Sequence, residues 1–208
     1  MDPSQGPLVS GSSLCVGERR GARLEFVHAV ELIFGFGWGA FWVYWFVAAL
    51  STKRGRVSWS REARIRALLA IAVIVTFHSG VLRGGALNAD PWRYGFGLFL
   101  FALGLGLAVW ARIHIGRNWG TPMSQKLEPE LVTSGPYQVV RHPIYSGILL
   151  AGLATALALN WHWLYFDLFA GIYFIYSATV EERFLTEKFP GEYPAYRRGT
   201  KMLIPFVF

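Results

Sequence analysis

The chain contains 208 residues, of which 53% are hydrophobic, 16% are aromatic and only 16% are charged, with a formal net charge of +7. Soluble domains usually carry about 25% charged residues. This composition excludes a disordered chain, a collagen and a coiled coil, and a single cysteine excludes a disulfide scaffold. The positive charge fits either a nucleic-acid partner or, in so apolar a chain, basic loops that orient a membrane protein.

Apolar stretches then follow one another along the chain. They occupy residues 32–50, 67–82, 94–111 and 143–180, and the last contains one formal charge, Asp167. A helix crosses the hydrocarbon core with about 20 residues, so 143–180 is long enough for two crossings. The polar and aromatic segment Asn160-Trp161-His162-Trp163 marks the turn between them. A soluble bundle would show a polar stripe in 32–50, and none is present.

The predicted fold is therefore all-α: an integral membrane protein with about five transmembrane helices, the last two forming a helical hairpin. A charged cytoplasmic C-terminal helix follows, interrupted by Pro190 and Pro194. Residues 1–25 lack the apolar core of a signal peptide, so we expect a polar N-terminal tail. Residues 26–208 are expected to form a single membrane domain.

Lysine and arginine set the expected orientation. With five spans, fifteen of the twenty Lys and Arg residues lie on the side that holds the 51–66 loop, the 112–142 loop and the C-terminal segment. The positive-inside rule makes this side cytoplasmic, so a site built there faces the cytosol. In a bacterium the membrane would be the inner membrane. The net charge is then an orientation signal, and a nucleic-acid partner is set aside.

Arg141 and His142 precede Pro143, which is the predicted first residue of the fourth span. Proline is favoured in the first turn of a helix because its missing N–H would be unpaired there. The free N–H groups and the positive end of the helix dipole would favour a carboxylate or another anionic group. Alternatively, Arg141 and His142 anchor the helix to lipid headgroups.

Glu181 and Glu182 lie where the fifth span leaves the apolar region. Carboxylates at a membrane helix end are costly unless they pair or bind a ligand. The predicted hairpin places them at the same depth as His142. The alternative to a ligand is an ion pair between Arg141 and either glutamate.

These motifs resemble the isoprenylcysteine carboxyl methyltransferase and phospholipid methyltransferase superfamily over about residues 100–208. They comprise Ile115-Gly116-Arg117-Asn118-Trp119, Ser134-Gly135-Pro136-Tyr137, Arg141-His142-Pro143-Ile144-Tyr145, Glu181-Glu182 and the tyrosines of 189–198. The resemblance implies an S-adenosylmethionine-dependent methyltransferase acting on a hydrophobic or amphipathic thiol, carboxylate, amine or phospholipid headgroup, without a metal. Matched by motif, the cofactor contacts would be Gln125, Leu131, Val132, Tyr137, His142, Pro143, Ile144, Tyr145, Glu181 and Glu182. No residue is assigned as a catalytic base.

One position departs from the family. Isoprenylcysteine methyltransferases carry an arginine for the substrate carboxylate four residues before the first glutamate, and this chain has Ser177. The departure favours a small thiol, amine or lipid acceptor over prenylcysteine. Two other interpretations remain open: a membrane reductase related to the sterol reductases that uses NADPH, and a membrane protein without enzymatic activity.

Some polar and small residues in or beside the spans are expected to serve packing or local pairing. Gly104 and Gly106 resemble a Gly-x-Gly element that phospholipid methyltransferases use near the cofactor, but small residues in membrane helices more often serve close packing, which we expect here. Asp167 is expected to reach the interface or pair with His162, and His28 to pair with Glu31 one turn away. His78 is either a packing contact or part of a substrate pocket.

Overall fold

The structure is a computed structural model that describes residues 11–50, 55–56, 64, 71, 90–120, 125–126 and 130–208, with only the backbone described for 11–20, 55–56 and 125–126. The predicted second span and His78 lie outside these residues, apart from Ile71. Helices and short strands occur in the order α1 Gly11–Ala49, β1 Gly55–Arg56, α2 Pro91–Ile115, β2 Gln125–Lys126, α3 Pro143–Ala158, α4 Trp163–Lys188 and α5 Glu192–Gly199. The two strands pair antiparallel.

Within the described residues, three helical segments are long and apolar enough to cross a membrane: 21–49 within α1, Pro91–Asn118, and α4. Helix α3 is apolar but has 16 residues, which gives about 24 Å against a hydrocarbon core of about 30 Å. The predicted helical, membrane-spanning character is confirmed, while the count of five spans stays a prediction. Residues 11–25 of the expected tail are helical and continue into the first span.

Helices α2 and α3 pack closely because small residues face each other. A Cβ atom added to Gly104 would lie 2.6 Å from both the Gly147 carbonyl oxygen and the Ala151 nitrogen. Only glycine allows this approach of two backbones. Gly104 is therefore a packing residue, as expected, whereas Gly106 has no atom within 4 Å of an added Cβ.

Arg112 joins the C-terminal ends of α1 and α2. It is buried, and its Nη2 and Nη1 donate to the carbonyl oxygens of Ala48 and Gly116 at 2.6 and 2.8 Å. These carbonyls lie at helix ends, where a cation is favoured. The guanidinium also stacks on Trp119, with its carbon 4.7 Å from the ring centroid. Trp119 is thereby fixed beside α3.

Helices α3 and α4 follow each other through the polar turn predicted from the sequence. The His162 backbone N–H and Nδ1 lie 2.9 and 2.8 Å from Asn160 Oδ1. His162 thus pairs within the turn and not with Asp167, whose carboxylate lies against Gly152 of α3. The expected contact between His28 and Glu31 is present at 3.3 Å.

Candidate active site

A cavity of about 150 Å³ lies where the ends of α2, α3 and α4 meet α5. One water molecule needs roughly 10–15 Å³ of such space, so this cavity can hold part of an organic ligand. The residues expected at the site that line it are Leu131, Val132, Tyr137, His142, Ile144, Tyr145 and Glu181. The structure therefore brings together most of the residues singled out in the sequence.

The entry into α3 shapes one wall of the cavity. Gly135 has a φ of +58°, and a Cβ added there would lie 2.7 Å from the His114 ring. Both the left-handed backbone and the crowding require glycine. The turn leads into Pro136 and Tyr137, which are buried. Pro143 then begins α3, as predicted, and is itself buried behind the cavity.

The last residues of the chain hold this entry in place. The backbone N–H groups of Arg141 and His142 donate to the carbonyl oxygens of Lys201 and Met202 at 2.8 and 3.1 Å. Ser146 Oγ donates to the Leu203 carbonyl oxygen at 2.6 Å. Hydrogen bonds to residues 201–203 thus fix the backbone that presents His142.

Glu182 lies in a buried ion pair. Its side chain is 4% exposed, and its Oε1 accepts a hydrogen bond from Arg141 Nε at 2.7 Å. Its Oε2 lies 3.4 Å from Arg197 Nε on α5. Arg141 also donates to the Thr200 carbonyl oxygen. The ion-pair alternative is correct for this glutamate. Glu182 does not line the cavity, and its charge is tolerated in a buried position because Arg141 neutralises it.

Glu181, the adjacent residue, lines the cavity. Its Oε1 accepts a hydrogen bond from the Tyr145 hydroxyl at 2.6 Å, and its Oε2 lies 3.5 Å from His142 Nδ1. The His142 and Tyr145 rings stack in parallel, with centroids 5.4 Å apart. Phe174 stacks on the other face of Tyr145 at 4.4 Å. The carboxylate is therefore held by a rigid aromatic stack.

Buried polar atoms remain unsatisfied around the cavity. Among the described residues, His142 Nε2, Tyr193 Oη and Asn118 Oδ1 have no hydrogen-bond partner, although His142 Nε2 lies 3.3 Å from Glu182 Oε1. Buried polar groups are almost always hydrogen-bonded, so each such atom calls for an explanation. All three belong to residues that line the cavity.

Tyrosines close the cavity from the side of α5. The Tyr196 hydroxyl donates to the Tyr137 carbonyl oxygen at 2.6 Å. Burial raises the pKa of Tyr196 to about 12, and burial raises the pKa of Tyr137 and Tyr193 well above the ordinary tyrosine value. All three hydroxyls remain protonated at neutral pH, because loss of the proton would leave a charge in a poorly solvated place. Each can act as a hydrogen-bond donor.

One predicted contact residue cannot be compared with the cavity, and several cavity residues were not predicted. Gln125 lies in β2, where only the backbone is described, so its expected contact stays a prediction. Cavity residues that sequence reasoning missed include Trp119, Glu130, Phe184, Leu185, Tyr193 and Tyr196. Helical spacing could have identified Phe184 and Leu185, which lie three and four residues after Glu181 and so share its face. Within the described part of the chain, no three His, Cys, Asp or Glu side chains are grouped as a metal site requires.

Comparison with known proteins places this site in a family context. Residues 92–192 match the phospholipid methyltransferase family. The chain is 28% identical to protein-S-isoprenylcysteine O-methyltransferase B of Arabidopsis thaliana over 68% of this chain and 74% of that protein. It is 30% identical to a methanethiol S-methyltransferase from a Pseudomonas species over 56% of this chain and 48% of that protein. The match thus spans about half the length of the bacterial relative.

A solved structure shows the same relationship in three dimensions. The eukaryotic intramembrane Ras methyltransferase, an isoprenylcysteine carboxyl methyltransferase, superposes with a TM-score of 0.51 at 25% identity, covering 73% of this chain and 55% of the other. The matched family region contains α2, α3, α4 and the intervening loop, which are the elements that build the cavity. The family match, the named relatives and the solved structure together support a relationship between this integral membrane protein and the isoprenylcysteine carboxyl methyltransferase and phospholipid methyltransferase superfamily.

Proposed function

We propose that the protein is an S-adenosylmethionine-dependent methyltransferase that modifies a hydrophobic or amphipathic acceptor at the cytoplasmic side of the membrane. The observation that carries the proposal is the juxtaposition of Glu181 and His142 on one cavity wall, with Nδ1 of the imidazole 3.5 Å from the carboxylate. The orientation rests on the Lys and Arg distribution of the sequence.

The donor set of the cavity fits S-adenosylmethionine. That molecule carries a sulfonium, an ammonium and a carboxylate, together with an adenosine. Glu181 supplies an acid for the cationic groups, and Tyr137 and Tyr145 supply aromatic faces. The unsatisfied atoms of His142, Tyr193 and Asn118 supply polar partners of both kinds.

The proposed contacts are divided between the two sides of the cavity. Leu131, Val132 and Tyr137 would contact the cofactor from the loop, and His142, Ile144, Tyr145 and Glu181 would do so from α3 and α4. We assign Glu182 to holding Arg141, because the two side chains form a buried ion pair and only Arg141 of the two lines the cavity. Pro143 acts through its place at the start of α3.

When bound, S-adenosylmethionine supplies a methyl group already activated on its sulfonium. This methyl group would go to a lone pair of the acceptor as the sulfur–carbon bond breaks, leaving S-adenosylhomocysteine and, for a thiol or amine, a released proton. The chain's own residues align the two reactants and exclude water. The aromatic stack of His142, Tyr145 and Phe174 suits this task because it fixes the Glu181 carboxylate before any ligand binds.

Ser177 points to the class of acceptor. It is fully buried on α4, one turn before Glu181, and its hydroxyl has no hydrogen-bond partner among the described residues. A hydroxyl offers no charge to a carboxylate, whereas an arginine would. We therefore favour a small thiol, an amine or a lipid headgroup as the acceptor, and the name of the methanethiol S-methyltransferase relative supports a thiol.

Calorimetry on the detergent-purified protein tests the cofactor. We expect S-adenosylhomocysteine to bind with micromolar affinity and Glu181→Gln to weaken binding at least tenfold. Glu187→Gln is the matched control, because it makes the same change at an exposed position of the same helix. Binding of NADPH without binding of S-adenosylhomocysteine would instead support a reductase.

A labelled-methyl assay identifies the acceptor class. The purified protein in lipid nanodiscs is given labelled S-adenosylmethionine with small thiols, amines, prenylcysteine or total lipid in separate reactions. We expect label in the thiol, amine or lipid fractions. Label in prenylcysteine alone would contradict the role given to Ser177.

A further inference from the structure

The segment after α5 ends in a closed turn. The Phe208 carbonyl oxygen accepts the N–H groups of Leu203 and Ile204 at 2.7 and 2.6 Å, and the Ile204 carbonyl oxygen accepts those of Val207 and Phe208 at 3.2 and 3.0 Å. Four backbone hydrogen bonds within six residues fix the conformation of this turn. Its side chains are therefore presented in a defined direction.

Those side chains are apolar and exposed. Phe206 is 92% exposed, Val207 is 72% exposed and Ile204 is 54% exposed. Phe206 also has a φ of +66°, a backbone region in which bulky residues are rare and glycine or asparagine is usual. In water, the exposure of these apolar side chains and the backbone conformation of Phe206 are both unfavourable. We call Ile204, Phe206 and Val207 the apolar tip.

The position of the turn gives the tip its surroundings. Leu203 is buried in the same cluster as Ile144 and Ala178, and its carbonyl oxygen accepts the Ser146 hydroxyl in the first turn of α3. The turn thus lies level with the beginning of an apolar helix. Membrane helices begin near the boundary between headgroups and acyl chains, where amphipathic elements bury their apolar faces about 5–10 Å deep.

Cations flank the tip on its polar side. Lys201 and Arg198 are both exposed and precede the turn directly in the chain. Basic residues beside an apolar element favour anionic lipid headgroups and add to membrane affinity. The positive charge beside the tip and its link to the beginning of α3 both indicate that a lipid bilayer contacts this surface.

We propose that the apolar tip inserts into the bilayer at the headgroup boundary and that Lys201 and Arg198 contact anionic headgroups. The tip is then a lipid-binding surface separate from the spanning helices. Because Lys201 and Met202 accept the N–H groups of Arg141 and His142, the inserted tip is also linked through two residues to the cavity wall. The membrane surface would set the position of that wall.

Depth measurement by spin labelling tests the insertion. Cys15 is the only cysteine, so Cys15→Ser gives a background for single labels at Phe206→Cys and Val207→Cys. The labelled full chain is placed in nanodiscs containing phosphatidylcholine and phosphatidylglycerol. We expect both labels to collide more often with oxygen, which concentrates in lipid, than with a water-soluble nickel chelate. Glu192→Cys on α5, an exposed position, is the control and should show the reverse.

Two outcomes would overturn the proposal. A label at 206 and 207 as accessible to nickel as the label at 192 means that the tip lies in water. Labels shielded from both probes mean that protein covers the tip. Removing phosphatidylglycerol should make the insertion shallower, and an unchanged depth would contradict the contact with anionic headgroups. Since no methyl transfer is measured, these results are independent of the proposed function.

Discussion

Adjacent glutamates of α4 serve two different regions of the molecule. The clamp region joins Glu182 to Arg141 and Arg197, whereas the cavity region joins Glu181 to Tyr145 and His142. His142 lies between the two, with Nε2 3.3 Å from Glu182 Oε1 and Nδ1 3.5 Å from Glu181 Oε2. Only Glu181 of the two glutamates lines the cavity, because successive positions of a helix point about 100° apart. Structural support is thereby separated from the proposed ligand binding.

Removing the clamp carboxylate gives the largest expected effect. Glu182→Gln leaves Arg141 buried without its counter-charge, which costs about 3–5 kcal/mol of folding free energy. Thermal unfolding in detergent should show a clearly lowered Tm. The double variant Arg141→Gln/Glu182→Gln should lose less stability than the two single effects added together. Strict additivity would mean that the two side chains do not depend on each other.

Removing the cavity carboxylate should separate binding from stability. Glu181→Gln is expected to weaken S-adenosylhomocysteine binding at least tenfold, about 1.4 kcal/mol, while its Tm stays close to that of the unchanged protein. The reason is that Glu181 is 25% exposed on its side chain, so the amide costs little when no ligand is bound. A Tm as low as that of Glu182→Gln would erase the distinction between the two regions.

A smaller effect is expected where α5 covers the cavity. Tyr196→Phe removes the hydrogen bond to the Tyr137 carbonyl oxygen and should cost about 1 kcal/mol. Burial raises the pKa of Tyr196 to about 12, above the ordinary tyrosine value, so the folded state holds this proton more tightly than the unfolded state does. Stability is then complete below about pH 10 and falls as pH rises towards 12.

Denaturation measured between pH 9 and 12 checks this dependence. The fall in stability should be less steep in Tyr196→Phe, because one tyrosine no longer contributes. An identical slope in both proteins would assign the alkaline loss to other groups, such as Tyr137 and Tyr193.

The sequence predicted the membrane helices and the meeting of His142 with the glutamates because both depend on local patterns. Charge-free stretches identify spans, and a hairpin places the two ends of 143–180 at one depth. It could not tell which glutamate pairs with Arg141, since that depends on the packing of α5 and the position of Arg197. Asp167 was expected either to reach the interface or to pair with His162, and the second alternative is wrong because Asn160, two residues away, contacts the His162 ring.

The length of α3 was predictable, because the sequence places its start at Pro143 and the next turn at residues 160–163, and α3 ends at Ala158. Its close packing against α2 through Gly104 and Gly147 was not predictable, because it depends on which helices are neighbours in the fold. Cavity residues on α5 were missed because Tyr193 and Tyr196 belong to a charged segment, where periodicity gives no indication of a binding surface.

The hydrogen bonds from Arg141 and His142 to Lys201 and Met202 have a consequence for how the protein is made. Helices α1 to α4 can enter the bilayer one after another while the ribosome is still adding residues. The wall that carries His142 cannot be completed until residue 202 has left the ribosome. Completion of this wall therefore follows synthesis of the membrane helices, and the proposed ligand can bind only to a chain that already includes residue 202.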